Sequence, residues 1–154
     1  MSIGRNLRAN QGGQTYAEFA VVVPVLVFLI FGIIDFASVI YTYSEVASAA
    51  NAGARWASVR GSTYACGTCT PTGPAASGDI TTYVQGVAPF LNTGNQATVT
   101  SSWTASSCQG GISNCPGSTV QVKVQYNFPL WIPGGFFNAV TLPLVATTQM
   151  VISQ

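Results

Sequence analysis

The sequence predicts an α+β fold, a long N-terminal transmembrane and amphipathic helix packed on a small antiparallel β-sheet. Three observations carry that expectation. From Phe19 to Ile40 the chain runs 22 residues with Asp35 as the sole charge, and about 20 apolar residues suffice for a helix to cross a hydrocarbon core. Beyond it, Val39, Tyr43, Val46, Ala50, Gly53, Ala54 and Ala57 recur mostly at spacings of three and four, the period of one helix face. In the last third, Val120, Val122, Val124 and Tyr126 alternate with Gln121, Lys123 and Gln125, the period of a strand with one covered face.

Taken in chain order, residues 1–13 hold Arg5 and Arg8 and no acid. They read as a short basic leader whose charge keeps the N-terminus in the cytoplasm. Residues 14–60 read as a single helix with its membrane part at about 19–40; at 1.5 Å per residue it is about 70 Å long. Pro24 falls early in the apolar run, where proline removes one backbone bond and bends a helix rather than ending it. Ser44, Glu45, Ser48, Asn51 and Arg55 lie mostly off the apolar stripe, so the helix turns amphipathic as it enters water. The stripe is largely alanine and glycine, which lets a covering element come close.

Residues 61–154 form the exported head. A loop rich in Gly, Ser, Thr and Pro runs to Gly78. Asp79 is an N-cap candidate for a short helix whose apolar set is Ile80, Tyr83, Val84, Val87 and Ala88, ending before Pro89. The stretches ATVTSSW, STVQVKVQYNF and TLPLVATTQMVIS are rich in β-branched residues and supply three strands. One face of such a sheet must be covered, and the alanine stripe of the long helix is the expected cover. Phe128–Phe137 gathers four aromatics in ten residues around a Pro-Gly-Gly turn, as packing onto the sheet or as a patch for a partner subunit.

Composition narrows the function. Hydrophobic residues are 48% and charged residues 6%, against about 25% charged in an ordinary soluble domain. The net charge of +1 offers no basic face for nucleic acid. Histidine is absent, and with it the commonest general base and metal ligand, so no enzyme activity, cofactor or metal is expected.

Cys66, Cys69, Cys108 and Cys115 lie in the exported part, which suggests disulfides formed in an oxidising compartment. The CGTC pair lacks the strand-to-helix context and nearby base of a redox motif. A zinc site from the four is disfavoured by the long second spacing and by export. Spacing leans to pairing 66 with 69 and 108 with 115, while chain entropy favours a longer bridge such as 66 to 115; the connectivity stays open.

Taken together, GGQTYAEFAVVVPVLVFLIFGIIDFASVIYTYSEVASAANAGARWASV resembles the TadE-like pilins or pseudopilins of tight-adherence pili, a branch of the type IV pilin superfamily. The matching positions are Gly13 before a cut, Glu18 and Phe19, Pro24 within the membrane run, Gly32 and Asp35 near its end, and Gly53, Ala54 and Arg55 further along. The resemblance implies cleavage between Gly13 and Gln14 by a prepilin peptidase, which leaves Glu18 fifth in the mature chain. It further implies a structural subunit, a minor pilin or pseudopilin, held in the lipid bilayer of the bacterial inner membrane by one pass. Its N-terminus would be cytoplasmic and its head periplasmic. An inner-membrane assembly platform would then load it among other pilin subunits into an extracellular adhesive pilus. Glu18 would set register there by pairing with a neighbour's freed amine, and two opposite charges 4 Å apart attract by about 4 kcal/mol at an effective dielectric of about 20.

Three rival readings remain. A permanently anchored periplasmic binding module would make Gly13 accidental. A thiol oxidoreductase needs a low-pKa cysteine that nothing here produces. A cleaved secretory signal could use the small residues of 47–54, though the helical pattern does not stop there.

Overall fold

The computed structural model describes residues 11–65, 67–69, 72–91, 97–104, 113–130 and 141–153. The basic leader residues Arg5 and Arg8, Cys66, Cys108 and most of the Phe128–Phe137 cluster lie outside them.

Helix α1 (Gln11–Ser58) is 48 residues long, about 72 Å at 1.5 Å per residue. It starts three residues ahead of the expected Gln14 and runs unbroken through Gly13 and Pro24. A closing turn ends it, with the Arg60 N–H donating to the Ala57 carbonyl at 3.1 Å. Arg55 lies in its last turn, a placement that favours the negative end of the helix dipole.

Helix α2 (Ser77–Val87) follows, then strands β1 (Ala97–Thr104), β2 (Thr119–Pro129) and β3 (Thr141–Val151). The strands form an antiparallel sheet in the order β1-β2-β3. The α+β architecture is the expected one.

The core forms where the C-terminal part of α1 crosses the sheet. From α1 come Val46, Ala49, Ala50, Ala54 and Ala57; β2 contributes Val120, Val122 and Val124, and α2 contributes Ile80 and Val84, all essentially fully buried. Burying a valine or isoleucine side chain contributes about 1.5–3 kcal/mol. β-Branched residues on a pleated strand and short residues on a helix let the two backbones approach without voids.

Gly53 marks the closest approach. A Cβ placed on it would stand 2.6 Å from Val84 Cγ2 and 3.5 Å from Val122 Cγ1, so α2 can cross α1 only over a residue without a side chain.

Two sequence expectations change in detail. Tyr43 was assigned to the buried stripe but is half exposed, while Ala49, outside the stripe as read, is fully buried. The fully buried positions of α1 begin at Val46. Asp79 is not the N-cap: it sits three residues inside, and its Oδ2 accepts the N–H of Ala76 at 3.2 Å. A carboxylate at that position can reach back to satisfy an orphan donor of the first turn.

Away from α1 the sheet presents Thr98, Thr100, Ser102, Lys123 and Thr147, all exposed, the usual polar face of a half-covered antiparallel sheet. At the far end of the head several segments meet. The Ser153 N–H donates to Ser58 O at 3.0 Å, Ala75 N–H to Arg60 O at 2.9 Å, and Ser62 N–H to Asn114 O at 2.8 Å. The two cysteine-bearing loops are thereby tied to each other and to the end of α1.

Candidate functional site

The unusual surface is the other part of α1. Between Gly13 and Glu45 no residue with a described side chain is buried. Phe19, Val21, Leu26 and Phe36 are exposed by 66%, 70%, 54% and 68%, which is untenable for a helix left in water. Among the described residues α1 is the helix long and apolar enough to cross a membrane.

Three of its aliphatic hydroxyls are turned onto their own backbone. Ser38 Oγ donates to Ile34 O and Thr42 Oγ1 to Ser38 O, both at 2.8 Å, and Ser44 Oγ to Tyr41 O at 2.7 Å. Each such bond removes a polar group that would be costly in lipid.

The predicted site residues fall into two sets. Gly13, Glu18, Phe19, Pro24 and Gly32 are exposed along the apolar part, and Asp35 is half-buried. Around Gly13 and Gly32 an added Cβ would meet nothing within 4 Å, so neither is explained by packing inside this chain. Glu18 and Asp35 are 17 residues apart, about 26 Å of helix, close to the thickness of a hydrocarbon core.

The second set belongs to the head: Gly53 and Ala54 are buried and Arg55 is exposed on the opposite face. The fold does not bring Arg55 to Glu18, which lies 37 residues, about 56 Å, down the helix. Cys69 and Cys115 are disulfide-bonded, and Ser118 Oγ lies 3.2 Å from Cys115 Sγ. Among the described residues no three metal-ligating side chains converge.

Residues 13–55 match the family model of TadE-like proteins. The chain carries a TadE-like helix. The match opens at Gly13 and closes at Arg55, so it takes in both parts of α1 and none of the sheet. No curated protein and no solved structure matches the chain.

One arrangement escaped the reading of the sequence. The Arg60 guanidinium lies 4.4 Å from the ring centroid of Trp56 and 4.8 Å from that of Tyr64. Trp56 in turn stacks on Tyr83 at 5.2 Å. The spacing of Trp56 and Arg60, four residues apart on a helix, was the available signal; Tyr64 and Tyr83 join only through the fold.

Proposed function

We propose that this protein is a non-enzymatic, pilin-like structural subunit, a minor pilin or pseudopilin of a tight-adherence pilus. It spans the inner membrane once, its N-terminus cytoplasmic and its head periplasmic. A prepilin peptidase cuts between Gly13 and Gln14, and an assembly platform then draws the chain from lipid into the filament. The observation that supports this reading most is the division of α1. One continuous helix is the spine of the head at one end and a bare apolar rod at the other, and lipid and neighbouring helices are the two surroundings that can cover such a rod in turn.

The cut leaves Glu18 fifth in the mature chain and frees an α-amine with a reference pKa of about 7.7–8.0. A neighbour's amine of this kind is the partner proposed for Glu18 in the filament. The head carries oxidised cysteines, in keeping with a periplasmic location.

N-terminal sequencing of the membrane-extracted protein, from cells holding the matching peptidase, tests the processing step. A mature chain starting at Gln14 is expected. A chain still starting at Met1, with the head outside the membrane, would instead mean a permanently anchored periplasmic module.

A further inference from the structure

Three charges of α1, Asp35, Glu45 and Arg55, have no side-chain partner among the described residues. Among the described residues neither Asp35 nor Arg55 makes an ion pair, and neither has any further interaction beyond those described above. Arg55 is exposed and points away from the head. Asp35 is half-buried towards the end of the apolar run, where a carboxylate is less costly than at the centre of the bilayer but still favours a partner.

Their phase on the helix is informative. At 100° per residue, Gly53 lies 18 residues and five full turns above Asp35, so Asp35 is on the face that carries the head, below it. Arg55 is 20 residues above Asp35, a rotation of about 200° once full turns are removed, nearly diametric. When two copies of a helix are related by a shift along the axis without rotation, groups that meet across the contact must lie on opposite faces of each copy. Asp35 and Arg55 satisfy that condition.

The other helix charges do not. Glu45 and Arg55 are 10 residues apart, about 280° in phase; Glu45 and Arg60 are 15 apart, about 60°. The Arg60 guanidinium is already held over Trp56 and Tyr64. Lys123 lies on the sheet face turned away from α1. With no proline between Asp35 and Arg55, the phase is that of a regular helix.

We propose that Asp35 of one copy pairs with Arg55 of a second copy displaced by 20 residues along α1. This rests on the pilin-like reading and adds to it the partner surface and the stagger. The displacement is about 30 Å. The stretch of α1 that the head buries runs from Val46 to Ala57, about 17 Å of axis, which is shorter than this displacement. The same offset sets Gly32 opposite Ala52, small against small, and Val39 opposite Val59, which is 49% exposed. Because the two patches differ, the contact is heterologous and does not close, the kind that propagates as a filament.

The test is cross-linking in exported filaments. A chain carrying both Asp35→Cys and Arg55→Cys is expected to give a ladder of dimers, trimers and higher species on a non-reducing gel, whereas either substitution alone gives no ladder. Glu45→Cys with Arg55→Cys, and Asp35→Cys with Lys123→Cys, should give none. Independently, Asp35→Arg and Arg55→Asp should each lower filament incorporation at least tenfold, and the double exchange should restore at least half of it. Filaments without the 35–55 cross-link, or a ladder from the 35–123 pair instead, overturn this inference alone. If the parent chain enters no filament, this inference and the pilin-like reading fall together.

Discussion

Gly32 and Gly53 occupy the same helix, 21 residues apart, in opposite surroundings. Around Gly32 an added Cβ would meet nothing within 4 Å, whereas on Gly53 it would strike Val84 Cγ2 at 2.6 Å. Gly53 is accounted for by the fold of this one chain. Gly32 and Gly13 are not, although they belong to the same matched segment. A helix can thus carry one set of positions that serve its own head and another whose use lies outside the molecule.

Substitutions can break this comparison. The largest effect is expected at Glu18, in the outward-facing part. Glu18→Gln keeps an amide of similar shape and removes an attraction of about 4 kcal/mol. Filaments should become fewer or shorter, or lose this subunit, while membrane insertion and thermal unfolding of the head stay at parental values. Glu18→Ala should behave alike. Normal incorporation of both variants would reduce Glu18 to an interfacial acid favouring the helix dipole by about 0.3–1 kcal/mol.

Next come the paired glycines. Gly53→Val forces a branched side chain against Val84 and Val122, and overpacking of this kind costs about 1–3 kcal/mol, occasionally more. For a head of this size, each kcal/mol lowers the unfolding midpoint by about 4–8 °C. Circular dichroism of the detergent-solubilised full chain should show a drop of that order for Gly53→Val and none for Gly32→Val. An equal drop for both would erase the distinction.

The smallest effect sharpens the comparison from the side of α2. Asp79→Ala removes the carboxylate that holds the Ala76 N–H, and loss of such a cap costs about 0.5–2 kcal/mol. Hydrogen exchange should quicken in the first turn of α2, and the unfolding midpoint should fall by a few degrees. Filament incorporation of the folded fraction should not change, because α2 touches the buried face of α1 and not the apolar rod.

Much of this architecture was legible in one dimension because it rests on periodicity. Alternation in Thr119–Pro129 and β-branched richness in the other two strands mark the sheet, since a one-residue slip would turn Val120, Val122 and Val124 into water. The unbroken apolar run from Phe19 to Ile34 marks a helix that cannot end in solvent. Glu18 and Gly13 stood out because charge and glycine are rare at such a threshold.

Other features depend on which surfaces happen to meet. Tyr43 and Ala49 both fit a helix face by spacing, and only the point where full burial of α1 begins, at Val46, decides that Ala49 is covered and Tyr43 is not. Asp79 could serve as cap or as the residue that reaches back to it, and the start of α2 at Ser77 selects the second. The sequence by itself determined the helix, the strands, the membrane-length apolar run and the one-sided sheet, because each is a local pattern enforced by the separation of apolar groups from water. Only the tertiary structure decided that Gly53 is the crossing point of α2 and that Arg60 lies between Trp56 and Tyr64. These are distances between segments far apart in the chain, and they are set by how side-chain volumes fill the space between α1, α2 and the sheet.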